Sequence, residues 1–241
     1  NTPSQNLVDA YEMIDGTPFD WNNPEHKSNP YANRDPRLAM SILTNNVEFK
    51  DRTIEAWTGG RDGKGVIHAT RTGYYIYKFI DPNLDLLQNR TSVHHWVIMR
   101  YAEILLSYAE AMNEAYGPTG NVGYRLNAVR ALNQVRNRVG VEMPAVPTAI
   151  SKEELREKIR NERRVELAFE DHRFWDVRRW MIAPETLGTP LRGVEITKIS
   201  DEEFEYKPIE VEKRTFEPKM YLYPIPQADL NTTGWVQNPL W

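Results

Sequence analysis

Residues 161–180 read NERRVELAFEDHRFWDVRRW, a stretch without glycine or proline in which arginines and carboxylates are interleaved with large apolar side chains. Helix-forming residues dominate it, so a helix is expected. Spacings of three place Arg163 beside Glu166, Glu170 beside Arg173, and Asp176 beside both Arg173 and Arg179. A solvated helix has no use for Leu167, Phe169, Phe174, Trp175, Val177 and Trp180. A charged surface helix is the ordinary reading of such a segment. The interleaved aromatics favour instead a half-buried network of planar guanidinium and carboxylate pairs. Arg163, Glu166, Arg173, Asp176 and Trp180 are therefore expected to be structural.

The rest of the chain divides by period. Residues 4–15 read as a short helix ended by Gly16 and Pro18, and 16–36 as loop. Around 38–55 and 66–80 the pattern suggests strands joined by the glycine-rich turn WTGGRDGKG at 57–65. From about residue 97 helices take over. Tyr101, Leu105, Tyr108 and Met112 form one stripe and Leu126, Val129, Leu132 and Val135 a second, a pair the size of a tetratricopeptide repeat. Ser151 with Glu154 makes a capping box for the next helix, a break is expected near His172, and Pro184 ends the last helix. Residues 184–241 read as irregular, closing in a strap of YLYPIPQ pinned by Trp235 and Trp241. The expected fold is mainly α, with tetratricopeptide-like helix pairs (97–183) packed against a loop-rich region carrying short β-strands (1–96).

Composition narrows the function. With 40% hydrophobic residues and 26 aromatics the chain can bury a large core, and a net charge of −4 with mixed signs leaves no basic footprint for nucleic acid. No window is apolar enough for a membrane-spanning helix. The absence of cysteine excludes disulfides and thiol chemistry in these residues. There is no H-E-x-x-H or G-x-S-x-G motif, and Gly63-Lys64 is followed by Gly65 where a phosphate loop has Ser or Thr. Asp81, Asn83 and Asp85 imitate the start of a calcium loop, but Leu86 and Ser92 occupy its glycine and glutamate positions, so a capped turn accounts for them. His94 and His95 are adjacent and point apart. Glu162, Glu166 and Glu170 lie beside arginines, which lower carboxyl pKa values and suit bridges rather than a general acid. No cofactor is required.

In order along the chain, NLVDAYEMIDG (6–16), NPYANRDPRL (29–38), TGYYIYKF (72–79), MRYAEILLSYAEAMNEAYG (99–117), LNAVRALNQVRNRVG (126–140), the 161–180 segment and YLYPIPQADLNTTGWVQNPLW (221–241) resemble the SusD/RagB family of outer-membrane nutrient-binding lipoproteins. The resemblance covers nearly all of the chain and matches the C-terminal half of such a protein. Asp171 and Leu240 stand where the family pattern has glycine. The resemblance implies a non-catalytic surface protein, anchored in the outer membrane by an N-terminal lipid. It would hold an oligosaccharide or related nutrient and cover a SusC-type TonB-dependent transporter. The signal and the lipidated cysteine would belong to an N-terminal half outside this chain.

Sugar recognition pairs aromatic faces with amide, carboxylate and guanidinium groups. The loops offer Trp57 with Arg61 and Asp62 as a ligand platform, with Trp21 and Tyr31 as the next candidates. Each aromatic has a plainer use, pinning an irregular loop to the core. The rivals to glycan binding are a repeat-type protein-interaction scaffold without a glycan ligand and a carbohydrate-active enzyme.

Overall fold

The computed structural model describes residues 2–85 and 87–241, so Leu86 of the calcium-loop comparison lies outside the described residues. The short elements come first: α1 Gln5–Val8, α2 Pro24–Ser28, α3 Arg37–Ser41, β1 Ile42–Leu43, β2 Glu48–Phe49, β3 Arg52–Thr53 and β4 Tyr75–Ile76. The helical part follows as α4 Tyr101–Tyr116, α5 Ala128–Arg136, α6 Lys152–Glu166, α7 His172–Arg179 and α8 Ala183–Thr186. A hairpin of β5 Leu191–Lys198 and β6 Phe204–Glu212, a 3-10 turn and α9 Gln227–Thr233 complete the chain. The fold is mainly α, as expected, and each pair of strands is antiparallel.

Two apolar cores form. Leu105, Leu106, Ala109 and Met112 of α4 close on Val129, Leu132 and Val135 of α5 and on Leu155 and Ile159 of α6. Tyr101, expected inside, is 68% exposed, because the buried stripe is one position over and includes Leu106. The Ser151–Glu154 capping box forms and starts α6. The second core joins Val8, Tyr11, Leu38, Ile42, Ile54 and Tyr74 to Val165 of α6 and to Val194, Ile196 and Tyr206 of the hairpin.

Several expectations need correction. The helix at 4–15 stops at Val8; Tyr11 leaves it for the second core, and Met13 forms a bridge with Arg34. The strands of 38–55 and 66–80 are only two residues long, and α3 precedes β1. Pro184 lies in the first turn of α8 instead of ending α7, the one place in a helix where a missing amide costs nothing. Residues 185–220, read as charged and irregular with room for a strand or two, hold β5 and β6, the longest strands among the described residues. The strap is not pinned by Trp235, which is 63% exposed, and Trp241 donates from Nε1 to Lys219 O and Leu222 O, pinning the tail to itself. The docking contacts come from Tyr221, whose carbonyl accepts from Arg178 and whose hydroxyl accepts from Ala183 N.

The hairpin is held by an unusually close approach. Val194 N donates to Thr72 O at 2.9 Å, and a Cβ on Gly193 would lie 2.8 Å from Thr72 Cα. Gly73, at φ +86°, has Val194 Cγ1 2.7 Å from where its own Cβ would stand. Only glycine fits on both sides of this contact.

Candidate ligand cleft and its ionic support

In the 161–180 segment Arg163, Glu166 and Asp176 are buried and Arg173 and Trp180 half-buried, but most of their partners are not the helical neighbours. Arg163 donates to both oxygens of Asp176, from Nε at 2.9 Å and Nη2 at 3.1 Å, across the break between α6 and α7. Glu166 takes Arg37 (2.8 Å), Arg100 (2.6 Å) and Arg138 (2.6 Å). Glu170 pairs with Lys78 and Arg100 rather than Arg173, which has no ion pair among the described residues. Of the expected pairs along the segment only Asp176 with Arg179 forms, and Trp180 Nε1 donates to Glu110. Phe174 and Trp175 are more exposed than their bulk suggests, at 36% and 61%. Spacing of three permits a contact along a helix; a buried partner from another segment, with no solvent competing for it, wins.

The network continues through Glu162, which accepts from Arg37 and from Arg136, and through Glu12, which accepts from Arg136 and Lys158. It therefore ties α3 of the second core to α5 and α6 of the first. Burial alone would raise the Glu166 pKa; hydrogen bonds from Arg100 and Arg37 and the charge of Arg138 outweigh it and bring it down to about 2. The same competition, won by Arg100 and Lys78, lowers Glu170. Both stay ionised at neutral pH.

The aromatic ligand candidates Trp21, Tyr31 and Trp57 pack against the second core. Arg34 fixes the loop that carries Tyr31 by donating to the carbonyls of Pro30 (2.6 Å), Val8 (2.6 Å) and Tyr11 (2.7 Å). Tyr31 then meets Tyr74 edge-on at 6.1 Å between ring centroids and Tyr206 edge-on at 5.3 Å. Tyr206 lies 6.4 Å from Phe204, and Phe204 lies 5.4 Å from Trp57 at a tilt of 33°. Two candidates far apart in the chain, Tyr31 and Trp57, are thus ends of one aromatic row whose middle is supplied by β6. Trp57 packs half-buried against the second core, as Tyr75 and Tyr77 do; Thr58 N donates to Ile196 O, and Lys198 Nζ sits 4.9 Å over the indole.

Beside this row opens a cleft of about 900 Å³, lined by Tyr31, Phe204, Tyr206, Asn29, Asn45 and Asn46, with Lys27 and the hairpin-turn glutamates on its rim. Asn45 is 3% exposed; its Oδ1 accepts from Ala56 N at 3.0 Å, and its Nδ2 has no hydrogen bond of ordinary geometry. Burial raises the Tyr206 hydroxyl pKa, and the neighbouring Asn45 amide works against that rise.

The remaining candidates serve the loops. Asp62 accepts from Arg52 at 2.6 and 2.8 Å and from Glu55 N at 2.9 Å, while Arg61 pairs with Glu55 at 3.2 Å. Trp21 donates from Nε1 to Asp9 and packs edge-on against Phe19. None of the three lines the cleft. Asp81 accepts from Asn83 N and Asp85 from Leu87 N, the capped turns expected there. Among the described residues no cluster of three metal-ligating side chains forms, and no helix is long and apolar enough to cross a membrane. Phe204, Tyr206 and Asn45 were not singled out in the sequence. The alternation in FEYKPIEVE, which puts both aromatics on one strand face, carried the signal.

The model of the SusD family matches residues 1–241, the whole chain. The chain belongs to the SusD family. A SusD-like protein of Bacteroides fragilis, solved by crystallography, superposes with a TM-score of 0.76 at 33% identity over 99% of this chain and 47% of its own. A SusD-like carbohydrate binding protein of the same species gives a TM-score of 0.71 at 30% identity, over 95% of this chain and 47% of its own. SusD-like protein P2 of Formosa agariphila is 34% identical over 120 residues, 48% of this chain and 22% of that protein. The chain thus spans about half the length of the solved SusD-like structures it resembles.

Proposed function

We propose that this chain is the ligand-holding part of a surface glycan-capture protein. It binds an oligosaccharide along the row from Tyr31 to Trp57 and passes it, uncut, to a SusC-type TonB-dependent transporter in the outer membrane. The observation that carries this reading is the aromatic row beside an amide-lined cleft, the combination that packs sugar C–H faces and bonds their hydroxyls. The crystallised relative described as carbohydrate binding supports it. Attachment by an N-terminal lipid and the transporter partner follow from the family. In this arrangement the α4–α6 helices face the transporter and the loop and hairpin side faces ligand.

Trp57, half-buried against the second core and outside the cleft lining, supplies the far end of the platform. Arg61, whose side chain is 64% exposed, can leave Glu55 for a sugar hydroxyl because an exposed ion pair is worth at most about 1 kcal/mol. Asp62 contributes by shaping the loop under Trp57, and Trp21 by bracing the loop that leads to Tyr31. Catalysis is disfavoured because the densest carboxylates, Glu162, Glu166 and Glu170, are each bound to cations and unsuited to donate a proton.

Calorimetric titration of the chain with a panel of soluble glycans tests the proposal, with a reducing-sugar assay run alongside. Binding without sugar release, weakened at least tenfold by Trp57→Ala, is the expected result. Capture of protein partners with no affinity for any glycan would support an interaction scaffold instead, and release of reducing ends would make the protein an enzyme.

A further inference from the structure

We propose that the cleft under the β5–β6 turn selects neutral oligosaccharides and rejects polyanionic ones; this rests on the glycan-binding reading above. The inference begins with the charges around the opening. Glu202, Glu203 and Glu205 line it against a single cation, Lys27. All three glutamates are exposed, and none has an ion pair among the described residues. The nearby Lys198 does not offset them, since it bonds Asp201 at 2.7 Å and lies over Trp57.

The interior is neutral and matched to hydroxyls. Asn29 and Asn46 are exposed and each present both a donor and an acceptor, and Tyr31 and Phe204 supply ring surface over the buried Tyr206. Asn45 adds a buried amide whose Nδ2 is unsatisfied, a group that gains from any acceptor able to reach it. A sugar hydroxyl meets that need at no electrostatic cost. A uronate or sulfate brought to the same place sits among three carboxylates within about a Debye length, roughly 8 Å at physiological salt. The repulsion from three such charges weakens binding by about tenfold or more at low salt and is largely screened at high salt.

The test is calorimetry on the full chain with matched probes: gluco-, galacto- and manno-tetrasaccharides against tetra-uronates and sulfated tetrasaccharides, at low and at high salt. The expected result is neutral binding with anionic affinity at least about tenfold lower at low salt, a gap that narrows at high salt. In the E202Q/E203Q/E205Q variant the neutral-to-anionic ratio should fall several-fold, with thermal melting checking that the hairpin stays folded. A single substitution, Glu203→Gln, serves if the triple variant unfolds. Equal or tighter binding of the anionic probes overturns the charge selection while leaving glycan binding intact. A ratio that the glutamine variants do not move overturns the cleft as its source. Absence of binding to every probe removes the glycan reading and this inference together.

Discussion

The Nη1 atom of Arg37 lies 2.8 Å from Oε2 of Glu166, and the same carboxylate receives Arg100 and Arg138 at 2.6 Å each. One glutamate thereby neutralises parts of three guanidinium groups from three segments. Removing it takes one of three carboxylates from the buried Arg37, one of two from Arg100, and from Arg138 the one ion pair it has among the described residues. Glu166→Ala should destabilise the fold by roughly 3–5 kcal/mol, a fall in melting temperature on the order of 10 °C for a chain of this size. A melting temperature within a degree or two of the parent would show the triple contact to be dispensable.

Acid should find the same residue. The folded Glu166 pKa, about 2, lies below its ordinary value of 4.5, so its contribution is complete above pH 4.5 and lost as pH falls towards 2. The shift corresponds to at most about 3 kcal/mol. Urea unfolding followed downward from neutral pH should show stability dropping in that window for the parent and more shallowly for Glu166→Gln. Parallel curves would place the acid sensitivity elsewhere.

Arg163 and Asp176 are 5% and 4% exposed and bonded through two hydrogen bonds. Arg163→Ala and Asp176→Ala should each cost about 3–5 kcal/mol, and the double variant clearly less than their sum. Glycan affinity in the folded fraction should be unchanged, because the pair joins α6 to α7 away from the cleft. Lost affinity at constant stability would move the segment into the binding site.

Asp171, which precedes α7, adopts φ +61° and makes no capping hydrogen bond with its side chain. Leu240 adopts φ +70°. These are the two places where the family pattern has glycine, and both need the left-handed backbone that glycine enters without a Cβ clash. Asp171→Gly should therefore stabilise the protein by about 0.5–1 kcal/mol, and Asp171→Val should destabilise it. Chemical denaturation of the two variants checks the sign. Loss of stability with glycine would mean that Asp171 holds the turn by contacts beyond its backbone.

Much of this was legible in the chain. The α4, α5 and α6 helices follow from stripes such as Leu105–Met112 and from the Ser151 cap, because local spacing decides which face a helix buries. The ion pairs were harder. Arg163 has Glu166 at helical distance, yet its partner is Asp176, and Glu166 goes to arginines as far away as Arg37. Charge spacing gives reach, whereas pairing depends on which groups the fold deprives of water. The cleft was half legible. Tyr31 and Trp57 stood out as aromatics in polar loops, but Phe204 and Tyr206 were lost in a charged stretch whose hairpin is fixed by a tertiary contact with Thr72 and Gly73.

That contact makes Gly193→Ala informative. Its Cβ would lie 2.8 Å from both Thr72 Cα and Thr72 O, so the hairpin must shift to admit it. A loss of about 1–3 kcal/mol is expected, together with weaker glycan binding even though position 193 touches no ligand. Unaltered affinity would separate the hairpin from the site.

The aromatic row has no owner in the primary structure. Tyr31, Trp57, Tyr74 and the Phe204–Tyr206 pair come from four stretches of backbone, and no peptide shorter than residues 31–206 contains the platform. On the proposed reading, sugar binding doubles as an assay of assembly: a nick in the 199–203 turn, or a strand that docks late, would silence recognition while the helical bundle still gave a native circular dichroism spectrum. Were that reading right, a variant of this protein could look folded and yet be blind to sugar.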